Sequence, residues 1–165
     1  MRETVFACLI AISGFAVSGV NAQSSEDIER QNLAVVRASF DAWRAGSGSP
    51  YDLLGPDATW TIVGRSLASK MYPNREAFMS EVIRPFNARM QAPLKPTIRQ
   101  IHASENVVVV FFDAEGTALD GQPYNNTYAW FLEMQHGRIV KAFAFFDSIA
   151  FNDLWQRVTP GNSRK

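Results

Sequence analysis

Apolar side chains recur at helical spacing in two stretches of the chain. The first is expected to begin at a serine cap at residues 24–25 and to end at Ala45, and its apolar stripe is Ile28, Leu33, Val36, Phe40 and Trp43. Asn74 is the expected cap of a second helix, whose apolar side is Phe78, Met79, Val82, Ile83 and Phe86. Pro85 lies inside this second stretch and predicts a kink or a new helical start, because its ring crowds the preceding turn.

The rest of the pattern is that of strands joined by turns. Strands are predicted at residues 58–63, at 97–103 and from 107 onward, with a loop at 65–73 and a short terminal helix at 148–158. The order is therefore helix, strand, helix, four strands and helix. This order is typical of an α+β fold in which two N-terminal helices lie against a strongly curved, conical sheet.

Two glycine turns divide the last part of the sheet into a meander. They are Asp120-Gly121 and His136-Gly137, and each favours a tight hairpin. If both are two-residue loops, antiparallel pairing sets Asp113 opposite Tyr128 and Tyr128 opposite Phe145.

This register sorts the meander into two faces, because side chains alternate along a strand. One face would carry Phe111, Asp113, Glu115, Asn126, Tyr128, Trp130, Phe143, Phe145 and Asp147. The other would carry Val110, Phe112, Ala114, Thr127, Ala129, Phe131, Val140, Ala142, Ala144 and Phe146. We expect a pocket on the first, aromatic and acidic face. On the second we expect a packing or dimer surface, since monomers rarely expose large apolar patches.

Composition narrows the classes of function. The 165 residues allow one domain with a real core. Sixteen basic residues balance sixteen acidic ones, and the only basic run is the short Arg164-Lys165 tail. A nucleic-acid partner is therefore not expected.

The first 22 residues differ from the rest of the chain. Arg2 precedes an uncharged stretch, and Val20-Asn21-Ala22 has the small residues of a signal-peptidase site, so a cleaved secretory signal at 1–22 is predicted, with a mature periplasmic or secreted protein at 23–165. A membrane anchor is the alternative, but the apolar run is shorter than a span of about 20 residues requires. The only cysteine, Cys8, lies in this segment, so the mature chain has no thiol for disulfides, catalysis or metal binding.

Several short motifs together resemble one known family. They are Trp60 to Gly64, Tyr72 to Phe78, Gly121 to Tyr124, Asn126, Tyr128, Gly137 to Val140 and Phe146-Asp147. The chain resembles the SnoaL-like branch of the nuclear-transport-factor-like (ketosteroid-isomerase-like) superfamily over nearly all of its mature length. The resemblance implies a cystatin-like α+β barrel. It does not imply one reaction, because this fold serves isomerases, dehydratases, epoxide hydrolases, cyclases and non-catalytic modules.

The resemblance implies a pair of aspartates as the candidate chemistry. The pocket aspartates of limonene-epoxide-hydrolase-like proteins align with Asp113 and Asp147, whereas the arginine between them is replaced by Phe111. The base and the tyrosine of ketosteroid isomerases would fall near Ile62 and Ser39, which cannot perform those roles. Two carboxyl groups in one apolar cavity cannot easily both ionise, so such a pair holds an acid and a base together.

We therefore predict Asp147 as a base and Asp113 as an acid or orienting partner, with no cofactor and no metal. The predicted ligand-binding residues are Trp60, Tyr72, Phe111, Asn126, Tyr128, Trp130, Phe143 and Phe145. Simpler roles stay open: Asp147 as a helix cap, Asp113 as a solvated strand-end charge, and the aromatic residues as plain core.

The expected function is that of an exported, dimeric pocket protein that binds a small hydrophobic molecule. One version adds cofactor-free acid–base chemistry of the isomerase, lyase or hydrolase type on that molecule. The other is a ligand-binding or accessory module without turnover. A cavity that contains neither aspartate would favour the second version.

Overall fold

The computed structural model describes residues 24–161 of the chain. The predicted signal segment lies outside these residues. In chain order the elements are helix α1 (Ser25–Ala45), a 3₁₀ turn (Pro50–Leu53), strand β1 (Leu54–Ile62), strand β2 (Met71–Tyr72), helix α2 (Arg75–Phe78), a π-helical turn (Met79–Ile83), helix α3 (Arg84–Asn87), strand β3 (Lys95–Ser104), strand β4 (Val107–Thr117), strand β5 (Pro123–Gln135), strand β6 (Arg138–Phe146) and helix α4 (Ser148–Arg157).

The strands form one mixed sheet in the order β2-β1-β6-β5-β4-β3. Strands β1 and β6 run parallel, and the other neighbouring pairs are antiparallel. Helix α1 packs against β3 and β4, and α2 packs against β1, so the helices cover one side of the curved sheet. The predicted α+β class, a curved mixed sheet wrapped around N-terminal helices, is confirmed.

Helix α1 follows its sequence pattern closely. The Ser24 hydroxyl accepts a hydrogen bond from the Asp27 N–H at 3.2 Å, and the helix ends at Gly46 with a φ of 74°, a left-handed conformation that suits glycine. On the apolar stripe Val36, Phe40 and Trp43 are buried in the core. The predicted helix and its cap are confirmed.

The second helical segment contains the predicted restart. Asn74 Oδ1 accepts from the Ala77 N–H at 2.8 Å and caps α2. The next turn is π-helical, with the Arg84 N–H bonded to the Met79 carbonyl five residues earlier. Pro85 opens α3 directly afterwards. The wide turn accommodates a residue that lacks an N–H and whose ring crowds the carbonyl four positions before it.

Strand β2 occupies part of the segment that the sequence predicted to be a loop. Its two residues pair antiparallel with β1, with Tyr72 opposite Trp60 and Met71 opposite Thr61. A strand of two residues is too short to display a period, so its partner strand defines it.

The loop between β4 and β5 is longer than predicted and changes which residues pair. Thr117 is opposite Pro123, which leaves residues 118–122 as the loop, and Asp113 is opposite Thr127 instead of Tyr128. The predicted register was wrong because the loop has a tertiary partner: Ala118 bridges to Met90, and the Leu119 N–H donates to the Arg89 carbonyl at 2.8 Å.

A bulge on β6 shifts the predicted pairing by one residue for a second time, so the side chains of β5 and β6 change faces relative to one another. The two-residue turn His136-Gly137 is confirmed, with positive φ at both positions. Farther along, Met134 pairs with Ile139 but Glu133 pairs with Lys141, so Val140 is an extra residue in the ladder. The two shifts cancel between β4 and β6.

The predicted single face is therefore divided between two sides of the sheet. We call the side toward α1 the inner face; it carries Val110, Phe112, Ala114, Asn126, Tyr128, Trp130, Ala142, Ala144 and Phe146. The outer face carries Phe111, Asp113, Glu115, Thr127, Ala129, Phe131, Phe143 and Phe145, with Asp147 directly after β6. The expectation that Asp113 and Asp147 share a face is confirmed, but Asn126, Tyr128 and Trp130 do not share it with them.

Candidate functional site

A cavity of about 240 Å³ lies between the inner face of the sheet and the helical segment at residues 75–87. The sheet contributes β1, β5 and β6, the helices contribute α1, α2, the π-helical turn, α3 and α4, and two loops complete the wall. Its lining residues are Trp43, Gly48, Ser49, Tyr51, Trp60, Ile62, Phe78, Met79, Val82, Ile83, Phe86, Asn87, Pro93, Leu94, Tyr128, Trp130, Ala144, Phe146 and Phe151.

Aromatic rings packed on one another build the wall near β1 and β5. Trp60 stacks on Phe78 with ring centroids 4.5 Å apart and meets Trp130 edge to face at 5.0 Å. Trp43 of α1 stacks on Trp130 with ring centroids 6.0 Å apart. Contacts of this kind hold large rings in fixed positions, so the cavity is bounded by rigid side chains.

No charged side chain is among the described residues that line the cavity. Its polar groups are hydroxyls, one amide and indole N–H groups. Burial raises the pKa of Tyr51 and holds the pKa of Tyr128 well above its usual range, so both phenols are neutral at physiological pH. Trp60 Nε1 is buried and has no hydrogen-bond partner within residues 24–161. The wall therefore suits a neutral and largely apolar molecule.

A chain of hydrogen bonds leads from the end of β6 to the cavity wall. Asn126 Oδ1 accepts from the Asp147 N–H at 3.0 Å, and Asn126 Nδ2 donates to the Asp147 carbonyl at 3.0 Å and to the Tyr124 hydroxyl at 2.9 Å. The Tyr124 hydroxyl lies 3.0 Å from that of Tyr128, which lines the cavity. Asn126 thus contacts the backbone and Tyr124, and it is not itself on the cavity wall.

Three of the predicted ligand-binding residues line the cavity: Trp60, Tyr128 and Trp130. Tyr72 is buried beside it, where its ring lies 5.5 Å from that of Phe78 and its hydroxyl donates to the Ala68 carbonyl at 2.7 Å. Burial raises the pKa of Tyr72 to about 12.

Asp113 lies outside the cavity, on the outer face. Its carboxylate accepts from Thr127 Oγ1 at 2.7 Å and from Arg99 Nε at 2.5 Å. The Thr127 hydroxyl, with help from Arg99, lowers the pKa of this carboxyl. Such surroundings favour a carboxylate that is ionised at neutral pH and not the shared proton of an acid–base pair in an apolar site.

Asp147 caps helix α4, where its Oδ1 accepts from the Ile149 N–H at 2.8 Å. Asp113, Glu115 and Asp147 line one outer groove of about 450 Å³, together with Lys95, Thr97, Ala114, Asn125, Asn126 and Thr127. The predicted pair does share a groove, but that groove is polar and separate from the aromatic cavity. The catalytic roles of the two aspartates stay predictions.

The predicted ligand-binding residues Phe111, Phe143 and Phe145 also lie on the outer face. The two register shifts move β5 relative to both of its neighbours, so these residues of β4 and β6 stay on the face of Asp113 while the residues of β5 change faces. Phe143 and Phe145 are 39% and 43% exposed, and Phe111 is half-buried beneath Arg99. Phe131, which the sequence placed on the opposite face, joins them with 41% exposure. None of these four lines the cavity.

A family model described as a SnoaL-like domain matches residues 36–142, which is well over half of the chain. The chain belongs to the SnoaL-like domain family. A search among curated protein sequences found no match.

Several solved structures share the fold of this SnoaL-like chain at low sequence identity. Bal32a, from a soil-derived mobile gene cassette, has a TM-score of 0.64 at 20% identity, over 78% of this chain and 99% of its own. A putative SnoaL-like polyketide cyclase from Jannaschia sp. CCS1 has a TM-score of 0.63 at 17% identity, over 79% and 94%. TerC, co-crystallised with polyporic acid, has a TM-score of 0.61 at 19% identity, over 76% and 98%.

Neither a metal centre nor a membrane span is found in the part of this SnoaL-like protein that the structure describes. Residues 24–161 contain no group of three or more His, Cys, Asp or Glu side chains placed to hold a metal ion. No helix among them is long and apolar enough to cross a membrane.

Sequence reasoning missed several cavity residues of the SnoaL-like protein. Phe146 was placed correctly on the face of Ala142 and Ala144, but that face was expected to be a packing or dimer surface and not the pocket. Tyr51 stands in a short turn that has no periodic signal. The helical segment did carry a signal: its predicted apolar side is Phe78, Met79, Val82, Ile83 and Phe86, and all of them line the cavity. An apolar stripe shows that a helix faces the interior, but it does not show whether that interior is filled.

Proposed function

We propose that this SnoaL-like protein binds a small, neutral and largely apolar molecule in its interior cavity. The observation that carries the proposal is a cavity of about 240 Å³ with aromatic walls and no charged lining residue within the described chain. An engineered apolar cavity of about 150 Å³ accommodates benzene. The larger volume here suits a molecule with one aromatic ring or with two fused rings.

The known structures support small-molecule binding on this fold. TerC was co-crystallised with polyporic acid, and the Jannaschia relative is described as a putative polyketide cyclase. Binding without turnover is favoured over acid–base chemistry here, because Asp113 and Asp147 lie outside the cavity. Cofactor-free turnover of the bound molecule is the alternative.

We test binding first by native mass spectrometry of the purified protein, in which a co-purified small molecule would appear as added mass. Neutral aromatic probes such as naphthalene are then titrated while tryptophan fluorescence is followed, because Trp43, Trp60 and Trp130 line the cavity. Binding should change this fluorescence in a saturable way. Absence of both a co-purified molecule and any probe binding would refute the proposal.

A matched pair of variants locates the binding. Ala144→Leu extends a side chain into the cavity and should weaken probe affinity by about tenfold or more, equivalent to about 1.4 kcal/mol. Ala142 is fully buried on the same strand but is not a lining residue. Ala142→Leu should therefore overpack the core at a cost of about 1–3 kcal/mol in stability and leave the affinity of the folded protein unchanged.

We also propose that a second copy of the chain covers the outer face. Phe131, Phe143 and Phe145 form an exposed aromatic patch at its centre. Opposite charges flank this patch: Arg99 bonds to Asp113 on one side, and Lys141 Nζ lies 3.8 Å from a Glu133 carboxylate oxygen on the other. A twofold interface pairs a patch with itself, and a patch whose charges are balanced does not repel its own copy.

We propose, finally, that residues 1–22 direct export and leave a periplasmic or secreted protein. The support is the signal-like sequence of these residues, and the fact that α1 begins at Ser25, so that cleavage after Ala22 leaves every described element intact. Intact-mass measurement of the protein from an expressing host should give a chain that begins at Gln23. A full-length chain retained with the cells would refute export.

A further inference from the structure

A chain of hydrogen bonds leads from the Asp147 backbone through Asn126 and Tyr124 to Tyr128 on the cavity wall. The bonds around Asn126 determine which group donates at each link. A backbone N–H can only donate and a carbonyl can only accept, so the two backbone groups of Asp147 determine which end of the Asn126 amide is oxygen and which is nitrogen. The amide nitrogen then necessarily donates to the Tyr124 hydroxyl oxygen. The first link of the chain has one possible direction.

The next link joins two hydroxyls, Tyr124 and Tyr128, and either could donate. Tyr124 is 2% exposed, and Asn126 and Tyr128 are its only side-chain hydrogen-bond partners in the described part of the protein. If Tyr128 donated to Tyr124, the buried proton of Tyr124 would have no acceptor, which is unfavourable for a buried hydroxyl. Tyr124 therefore donates to Tyr128.

This direction leaves the Tyr128 proton for the cavity. The Tyr128 oxygen accepts from Tyr124, Tyr128 lines the cavity, and its hydroxyl has no other hydrogen-bond partner within residues 24–161. Each donor in such a chain polarises the next one, so Tyr128 is a stronger donor than an isolated phenol. The group also stays protonated, because burial raises its pKa.

We propose that the ligand carries a neutral acceptor oxygen, a carbonyl or an ether, that accepts a hydrogen bond from the Tyr128 hydroxyl. The inference rests on the proposed function and names the chemistry that the cavity selects. A ligand without an acceptor would leave the Tyr128 donor unpaired, and a carboxylate would be buried without a cation, since no lining residue is charged. Trp60 Nε1 is a second lining donor without a partner within residues 24–161, so Tyr128 and Trp60 together would set the orientation of the ligand.

The test compares two probes of nearly the same shape, methyl naphthyl ketone and isopropenylnaphthalene, in which a methylene group replaces the carbonyl oxygen. The wild-type protein should bind the ketone about threefold to tenfold more tightly, as one net hydrogen bond predicts. In Tyr128→Phe the ratio of the two affinities should fall to about one, because the donor that distinguishes the probes is gone. Tyr124→Phe, which shortens the chain but keeps the Tyr128 hydroxyl, should reduce the preference only in part.

Infrared spectroscopy of the bound ketone gives a reading that does not depend on protein stability. Its carbonyl stretch should lie at lower frequency in the wild-type protein than in Tyr128→Phe, because hydrogen bonding weakens the C=O bond. Equal binding of the two probes by the wild-type protein, or the same preference and stretch in Tyr128→Phe, would overturn the inference and leave the proposed function intact. Failure of the wild-type protein to bind either probe would overturn the inference, and together with the absence of a co-purified molecule it would overturn the proposed function as well.

Discussion

Thr127 Oγ1 donates a hydrogen bond to Asp113 Oδ1 at 2.7 Å on the outer face of the sheet. The next residue on β5, Tyr128, points to the inner face and lines the cavity. Adjacent residues of β5 therefore serve opposite faces: Thr127 binds the ionised Asp113 carboxylate on the outer face, and Tyr128 is the candidate ligand-binding donor on the inner face. Asp113 and Tyr128 lie on opposite faces of the sheet and line different pockets.

The first prediction concerns the titration of Asp113. Because the Thr127 hydroxyl is the main cause of its lowered pKa, Thr127→Val should move that pKa up toward its usual value near 3.8. Carbon NMR of the labelled carboxyl group measures the change directly. Arg99→Gln should also raise the pKa, because the arginine contributes both a hydrogen bond and a positive charge, and a pKa that fell in either variant would contradict this account.

The same lowered pKa predicts how stability depends on pH. A carboxyl whose pKa is lower in the folded state stabilises the protein at pH values above its unfolded pKa, and this contribution is lost as the pH falls through the folded pKa. The melting temperature of the wild-type protein should therefore exceed that of Asp113→Asn by a small, constant amount above about pH 5, and the gap should close below about pH 4. A gap that widened in acid would contradict this account.

The second prediction separates the cap role of Asp147 from a catalytic one. Asp147→Ala removes the acceptor for the Ile149 N–H and should cost about 1 kcal/mol of the free energy of unfolding, measured by urea denaturation. Asp147→Asn keeps a capping oxygen and should lie within a few tenths of a kcal/mol of the wild-type value. If a substrate is found, full turnover by Asp147→Asn would exclude Asp147 as the base, whereas loss of turnover with unchanged stability would support it.

The third prediction concerns Asn126 as a link between β5 and the start of α4. It is 6% exposed, and Asn126→Ala removes its side-chain hydrogen bonds to the Asp147 backbone and to Tyr124. We expect a loss of about 2–3 kcal/mol of unfolding free energy. Hydrogen exchange at the Asp147 N–H should accelerate more than exchange in β3, which lies on the far edge of the sheet. Uniform acceleration would indicate global destabilisation only.

The fourth prediction tests the outer face as a dimer interface. Light scattering at micromolar concentration should give twice the chain mass for the wild-type protein and the mass of one chain for Phe145→Lys, because a lysine at the centre of the aromatic patch would be buried against its own symmetry mate. Leu67→Lys is the control, since Leu67 is 57% exposed and lies in a loop away from the patch. A monomeric wild-type protein, or a dimer that persists in Phe145→Lys, would count against the proposed interface.

Local rules were sufficient for much of the fold. Ser24 and Asn74 cap their helices through bonds to residues three positions away, so each cap can be predicted from the residues of a single helical turn. The same is true of the Gly137 turn and of the restart at Pro85. The apolar sides of both helices face the core because an amphipathic helix has only one way to bury its stripe.

The position of the site depended on which face of the sheet each side chain occupies, and local sequence rules did not determine this. Residues 118–122 form a longer loop because the Thr117 carbonyl accepts from the Gln91 N–H and the Leu119 N–H donates to the Arg89 carbonyl, and both partners are distant in sequence. Val140 forms a bulge that the alternating pattern does not reveal. One inserted residue turns every later side chain to the other face, so these two features decided that Tyr128 and Trp130 are separated from Asp113 and Asp147.

The sequence by itself determined the main helices and strands and the α+β class, but it missed β2, and it placed Asp113 and Asp147 on one face through two register errors that cancel. Only the tertiary structure decided that this face is the outer one and that a neutral cavity lies on the other side, lined by Tyr128. The physical reason is that composition and periodicity act over a few neighbouring residues, whereas the register of a sheet is set by contacts between segments far apart in the chain.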